Sequence, residues 1–157
     1  MSRVLNLIVV GKLKDKHFEN LETEYRKRLN KFQLIIHETR SFADTIINEE
    51  KEILKKVDEI TSGERSRSHI VLLSENGKEY SSQDFSLKIF DLLKNCSTKK
   101  IIIIIGGAHG FTDGIIKMSS ETISLSKLTF PHRLARIILI EQLYRAQTIE
   151  YGHPYHH

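Results

Sequence analysis

Residues 101–105 are five consecutive isoleucines that run straight into Gly106-Gly107-Ala108-His109-Gly110. This feature limits the fold more than any other in the chain. Isoleucine is β-branched and stiff about χ1, so a run of it favours extended backbone. An aliphatic run with no polar alternation has both faces covered, as at the centre of a parallel sheet. The glycines at its carboxyl end let backbone approach a ligand closely, and open α/β sheets bind ligands at that edge. The pattern is neither a G-x-G-x-x-G fingerprint nor a G-x-x-x-x-G-K-[ST] phosphate loop. A tight turn without a ligand is the plainer reading of the same glycines.

The rest of the chain supplies elements to surround such a strand. Residues 3–10 (RVLNLIVV) read as a first buried strand ending at Gly11. Phe18, Leu21, Tyr25 and Leu29 recur at helical spacing. Residues 32–37 form a second strand, and Asp44 is placed to cap a helix carrying Ile46, Ile47, Ile53, Leu54, Val57 and Ile60 until Ser62-Gly63. Residues 69–73 (HIVLL) make a third strand, closed by a turn at Glu75-Asn76-Gly77. Ser81 or Ser82 then opens a helix with Phe85, Ile89, Phe90, Leu92 and Leu93 inward. After the isoleucine strand come a short helix near 114–119, a brief strand at 122–125 and a last helix over 132–149. Strand and helix alternate throughout, which predicts one α/β sandwich with a mostly parallel sheet.

With 157 residues, the length prior is a single domain, 1–157, able to bury about two thirds of its unfolded surface. The lone cysteine, Cys96, cannot close an internal disulfide and reads as a half-buried structural thiol. No secretory leader or membrane span is evident, so a cytoplasmic location is expected. The net charge of +4 is compatible with a polyanionic partner, and residues 12–31 hold seven Lys or Arg against four acidic residues. A solvated helix with interspersed charges accounts for that stretch equally well.

Three later segments carry chemistry. In SLSKLTFPHRLAR (124–136), Ser126, Lys127, Leu128, Thr129 and Phe130 form a polar and apolar loop, and Pro131 suits the first turn of a helix. Such a loop can offer backbone polar groups to a purine edge and apolar walls to its faces. An ordinary strand-to-helix connection is the alternative. The last helix is almost wholly apolar from Leu134 to Ile140, so that half is buried in the core or against another subunit. Glu141 and Arg145 are four apart and can pair, while Arg133 and Arg136 lie near its start. The tail YGHPYHH (151–157) offers His153, His156 and His157, but nothing fixes them for a metal, and no metal is expected.

IGGAHG, SLSKLTFPHRLAR, EQLYRA and HPYH, in this order, together with VVGKLK after the first strand, resemble the ribosomal RNA large subunit methyltransferase H family. These are the pseudouridine N3-methyltransferases of the SPOUT class, and the likeness spans essentially the whole chain. It implies a SPOUT-type α/β sandwich with a C-terminal deep trefoil knot over roughly 101–157, a rare exception to unthreaded chain topology. It also implies S-adenosylmethionine as cofactor, touched by Leu73, Gly107 and the loop Ser126, Lys127, Leu128, Thr129, Phe130 and Pro131. The implied partners are a second copy of the chain and 23S ribosomal RNA in the large subunit or the 70S ribosome, the target being a pseudouridine of helix 69. The family commonly ends in Arg or Lys after PYH; this chain ends in His157.

Transfer of a sulfonium methyl to an imide nitrogen needs alignment and removal of the N3 proton. His156, Tyr155 and His132 are residue types suited to the proton, with Arg133 or Arg136 to stabilise the anion. Histidine is the type whose charge changes near neutral pH, which favours His156. Competing readings are a SPOUT enzyme for transfer RNA, a ribosome-binding factor without catalysis, and a nucleotide-binding protein with no RNA role. Retention of both the glycine loop and the SLSKLTFPH loop speaks for catalysis.

Overall fold

The computed structural model describes residues 3–95 and 99–157; Cys96 lies outside them. Five strands form one sheet: β1 (Val4–Val10), β2 (Gln33–Thr39), β3 (Ser68–Glu79), β4 (Lys100–Ile105) and β5 (Glu121–Ser124). Their order is β2-β1-β4-β3-β5 and every pairing is parallel. The helices are α1 (Lys16–Arg28), α2 (Ile46–Thr61), α3 (Ser82–Asn95), α4 (Asp113–Met118) and α5 (His132–Glu150). Because all strands run the same way, the segments that follow them all emerge at one carboxyl edge.

The isoleucine run sits where its composition demands. Ile101, Ile103 and Ile105 join Leu5, Leu7 and Val9 in a core built with α3 and α5. Ile102 and Ile104 join Ile8 and Val10 against Ile53 and Val57 of α2 and Ile115 of α4. Alternate side chains point to opposite faces, so a strand covered on both sides must be apolar at every position. α5 packs against both α1 and α3.

Several local expectations are corrected. α1 starts earlier than Phe18, because Asp15 accepts from the amides of His17 and Phe18 at 2.8 and 3.2 Å and caps the helix. Its inward residue is Glu22, while Leu21 is exposed. α2 begins after Thr45 without a side-chain cap, so Asp44 does not cap it. Its buried residues include Glu49, and Ile47 faces solvent. In both helices an acidic residue takes a core-facing position because a partner elsewhere in the fold meets it.

Residues 75–77 do not end β3 in a turn. β3 pairs with β5 through Leu73 and again at Lys78, with a register shift between them. The shift makes a bulge, and Gly77 lets it close on β5: a Cβ there would lie 2.6 Å from the Ile123 carbonyl carbon. Pro131 stands as the residue just before α5, its carbonyl accepting from Ala135 at 3.0 Å.

Candidate functional site

Three loops meet the carboxyl edge beside one another. β3 delivers Leu73, β4 delivers Gly107, and β5 leads into residues 125–131, the three strands being neighbours in the sheet. The residues expected to hold a cofactor are thus gathered at one edge. Within the last loop, the Ser124 hydroxyl donates to the Ser126 carbonyl at 2.8 Å, and the Ser126 hydroxyl accepts from the Leu128 amide at 3.0 Å. Among the described residues, the amides of Lys127, Thr129 and Phe130 make no hydrogen bond within the chain. Leu128 is 72% exposed. A loop with free backbone donors and an exposed aliphatic side chain fits an adenosine group, whose edge needs polar partners and whose faces need apolar ones.

The glycine loop is closed by its own chain. Gly110 donates to the Gly107 carbonyl at 3.1 Å, and a Cβ on Gly106 would meet the Gly110 carbonyl at 3.0 Å and the Phe111 ring at 3.2 Å. A Cβ on Gly107 would lie 2.8 and 3.1 Å from the two carboxylate oxygens of Glu49 and 3.2 Å from Val10. Glycine at 107 therefore makes room for Glu49, which is 3% exposed. Glu49 Oε2 accepts from the Ser41 hydroxyl at 3.3 Å and the Phe42 amide at 3.1 Å, while Oε1 is buried without a partner. Sequence reasoning missed Glu49, since an acidic residue among charged neighbours reads as solvated.

The start of α5 lies against the end of β1: a Cβ on Gly11 would lie 3.8 Å from His132 Nε2 and 3.7 Å from Ser41 Cβ. Burial first, and then the charge of Arg133, depress the His132 pKa, with Glu49 opposing them. Arg136 is 5% exposed and fully engaged. Its Nε and Nη2 donate to both oxygens of Glu22 at 2.6 and 2.9 Å, and Nη1 donates to Glu38 at 2.8 Å. Burial opposes its charge, but the two carboxylates outweigh burial and raise its pKa. Arg136 thus ties α5 to α1 and β2.

The tail turns back after Gly152, which takes a φ of +69°, and the His153 amide donates to the Thr148 carbonyl at 2.9 Å. Tyr155 then lies on α5, its ring centroid 4.7 Å from that of Tyr144 and 5.0 Å from the Arg145 guanidinium. Its hydroxyl donates to Glu141 Oε1 at 3.1 Å. Burial, followed by Tyr25 and Glu141, pushes the phenol pKa far above its usual value, so Tyr155 stays protonated. Arg145 donates to Glu141 at 2.6 Å, which raises its own pKa, and meets His156 Nδ1 at 3.1 Å. Arginine only donates, so Nδ1 accepts from Arg145; the Gln83 side-chain amide lies 3.1 Å from Nε2 and can accept from an Nε2–H only with its oxygen turned toward the ring. Gln83 is in the first turn of α3, so the tail contacts α3 as well as α5. The Glu141–Arg145 pair was legible from its spacing; Gln83 was not. Among the described residues, no three His, Cys, Asp or Glu side chains gather as metal ligands. No helix of the described residues is long and apolar enough to cross a membrane.

This parallel α/β sheet, with its loops at the carboxyl edge, has clear relatives. The family model described as "Predicted SPOUT methyltransferase" matches residues 4–156. The chain belongs to the SPOUT methyltransferase family. Curated relatives called ribosomal RNA large subunit methyltransferase H, from Bacillus cereus and Bacillus thuringiensis, are each 35% identical over 161 residues, covering 97% of this chain and 98% of theirs. A probable methyltransferase from Bordetella pertussis has the same fold, with a TM-score of 0.53 at 13% identity over 92% of this chain and 94% of its own. The SpoU methyltransferase AviRb from Streptomyces viridochromogenes, solved in complex with AdoMet, also has a TM-score of 0.53, at 10% identity over 94% of this chain and 59% of its own.

Proposed function

We propose that this chain is an S-adenosylmethionine-dependent methyltransferase of large-subunit ribosomal RNA, modifying N3 of a pseudouridine in helix 69 of the ribosome. Membership of the SPOUT family and the 35% identity to ribosomal RNA methyltransferases support the reaction class. One observation supports the assignment of roles: loop 125–131 keeps free backbone amides, while the tail residues Tyr155 and His156 are tied to α5 and to Gln83 rather than to that loop. Leu73, Gly107 and Ser126 to Pro131 would hold the cofactor. The chain would form one domain over 1–157, with a trefoil knot in roughly 101–157, and work in the cytoplasm.

When bound, S-adenosylmethionine supplies an electrophilic methyl group on a sulfonium. The N3 proton passes to solvent water, and the protein's own residues must orient the base and favour its deprotonated imide. Tyr155 remains a phenol and donates to Glu141, so it acts as a packing and stacking anchor rather than a base. His156 has its Nδ1 lone pair held by Arg145, and its Nε2 would exchange the Gln83 amide for the imide to hydrogen-bond the anion as charge develops. Arg136 is committed to Glu22 and Glu38 and acts by positioning the start of α5.

The active form would be a homodimer. Ile137, Leu139 and Ile140 are covered within the single chain, so the apolar first half of α5 does not by itself require a partner. The large apolar residues left open near its start are Leu128 and Leu134, at 72% and 36% exposure, and these suit a second copy. Light scattering at micromolar concentration should give twice the chain mass, and a monomer would exclude this assembly.

Truncation after Gly152 tests the division of roles. The shortened chain should bind S-adenosylmethionine nearly as the full chain does, yet lose methyl transfer to ribosomes lacking the modification. Unchanged transfer would remove the tail from the reaction, and lost binding would place it in the cofactor site instead.

A further inference from the structure

The carboxyl edge carries a group of cations that neither the cofactor loops nor the tail uses. Lys12 and Lys14 lie in the β1–α1 loop, Lys16 opens α1, and Arg40 follows β2; all four are exposed. Among the described residues none of the four forms an ion pair or a side-chain hydrogen bond. The helix cations Arg26, Lys27 and Arg28, by contrast, meet Glu22 or Glu24. The Arg40 guanidinium lies over the Phe42 ring, 5.3 Å from its centroid, a cation–π pair.

These loops are held in place. The Glu49 carboxylate receives Ser41 and Phe42, and His109 Nε2 lies 2.9 Å from the Ala43 carbonyl, which pins residues 41–43 to the glycine loop. Gly11 brings the start of the first loop against Ser41 and His132. The cations therefore border the loop that follows β4 and do not lie scattered over the surface. Lys14 adds an independent sign. Its φ is +54°, a left-handed conformation that glycine adopts at less cost, yet the position carries a long cationic side chain.

We infer that Lys12, Lys14, Lys16 and Arg40 form a phosphate-binding rim on which the RNA backbone rests while the target base enters the site. The inference rests on the RNA substrate proposed above. Unpaired cations on fixed loops suit a polyanion, because contacts to phosphate position the nucleic acid without reading its sequence. The Arg40–Phe42 stack suits an unpaired base beside the target. The other cationic area, the cleft of about 630 Å³ at the amino edge lined by Arg67, Lys99 and Lys100, fits less well. It lies at the opposite edge of the sheet, and Arg67 is already paired with Glu64.

The test is equilibrium binding to 23S ribosomal RNA over a range of salt, with KM and kcat measured on ribosomes lacking the modification. Lys12→Glu/Lys14→Glu should weaken RNA binding at least tenfold. It should also lower the slope of log affinity against log salt by roughly 0.7–0.9 for each phosphate that is no longer neutralised. KM should rise with kcat and cofactor affinity unchanged. The control pair Lys51→Glu/Lys55→Glu, on exposed α2 positions, changes net charge equally and should leave binding within about twofold. Lys14→Gly relieves the backbone and should melt no lower than the parent protein while still raising KM, so misfolding cannot explain its effect. Equal effects of the two charge-reversed pairs, an unchanged salt slope, or an unchanged KM in Lys14→Gly would overturn the rim. A parent protein that binds RNA with this slope but transfers no methyl would overturn the proposed reaction and leave the rim standing.

Discussion

Replacing Glu22 with alanine strands a buried charge, and the cost follows from the geometry. The Arg136 and Glu22 side chains are 7% and 8% exposed, and two hydrogen bonds of 2.6 and 2.9 Å join them. Removing one partner of a buried pair costs about 3–5 kcal/mol, because the remaining charge stays desolvated. Glu38 remains at 2.8 Å, but its side chain is 35% exposed and screened, so the low end applies, about 3 kcal/mol. For a chain of this size that corresponds to a fall in Tm of roughly 6–12 °C. Denaturant unfolding should show a lower midpoint with an unchanged slope. The double variant Glu22→Leu/Arg136→Met removes both charges and should recover most of the stability, since an apolar pair of similar volume replaces a costly one. A cost below about 1 kcal/mol for Glu22→Ala, or a double variant no better than the single, would mean that Arg136 is not left as a desolvated charge.

Other predictions follow from individual interactions. Gly77→Ala drives a Cβ into the β5 backbone, 2.6 Å from Ile123, and should cost about 1–3 kcal/mol by thermal unfolding; a neutral result would mean the bulge is not closed on β5. Burial depresses the pKa of both His37 and His132, assisted by Lys56 and by Arg133 respectively. The unfolded chain then binds more protons below the ordinary value of 6.5, so their contribution is complete above about pH 6.5 and is lost as pH falls through the folded values. Tm should drop between about pH 7.5 and 5, less steeply in His37→Gln; a Tm that rises on acidification would contradict the sign. His156→Ala should slow methyl transfer by about 10²-fold with cofactor affinity retained, whereas a decrease of only a few-fold would reduce the tail to a positioning device.

The layered sheet was legible because its signal is redundant. Five isoleucines in a row, a buried first strand and apolar positions at helical spacing each demand the same two-sided core. The acidic residues inside α1 and α2 were not legible. Glu22 and Glu49 follow the helical period of core positions, but Glu22's partner Arg136 lies 114 residues away, and Glu49, met by Ser41 and Phe42 just upstream, also needs the space left by Gly107. Residues 75–77 carry a strong turn signature, and the second stretch of pairing with β5 overrode it. Among the site residues, the gathering of Leu73, Gly107 and the 126–131 loop follows from parallel topology alone. The fold of the tail onto Tyr144, Arg145 and Gln83 depends on a left-handed Gly152 that the sequence only permits.

The reaction is tested by supplying S-adenosylmethionine with a labelled methyl group to ribosomes that lack the modification and then mapping the product. The expected product carries one methyl group per ribosome, on N3 of a pseudouridine in helix 69 of the large-subunit RNA. Label on a different nucleotide would contradict the assigned substrate, and no label at all, from protein that binds the cofactor, would contradict the methyltransferase reaction itself.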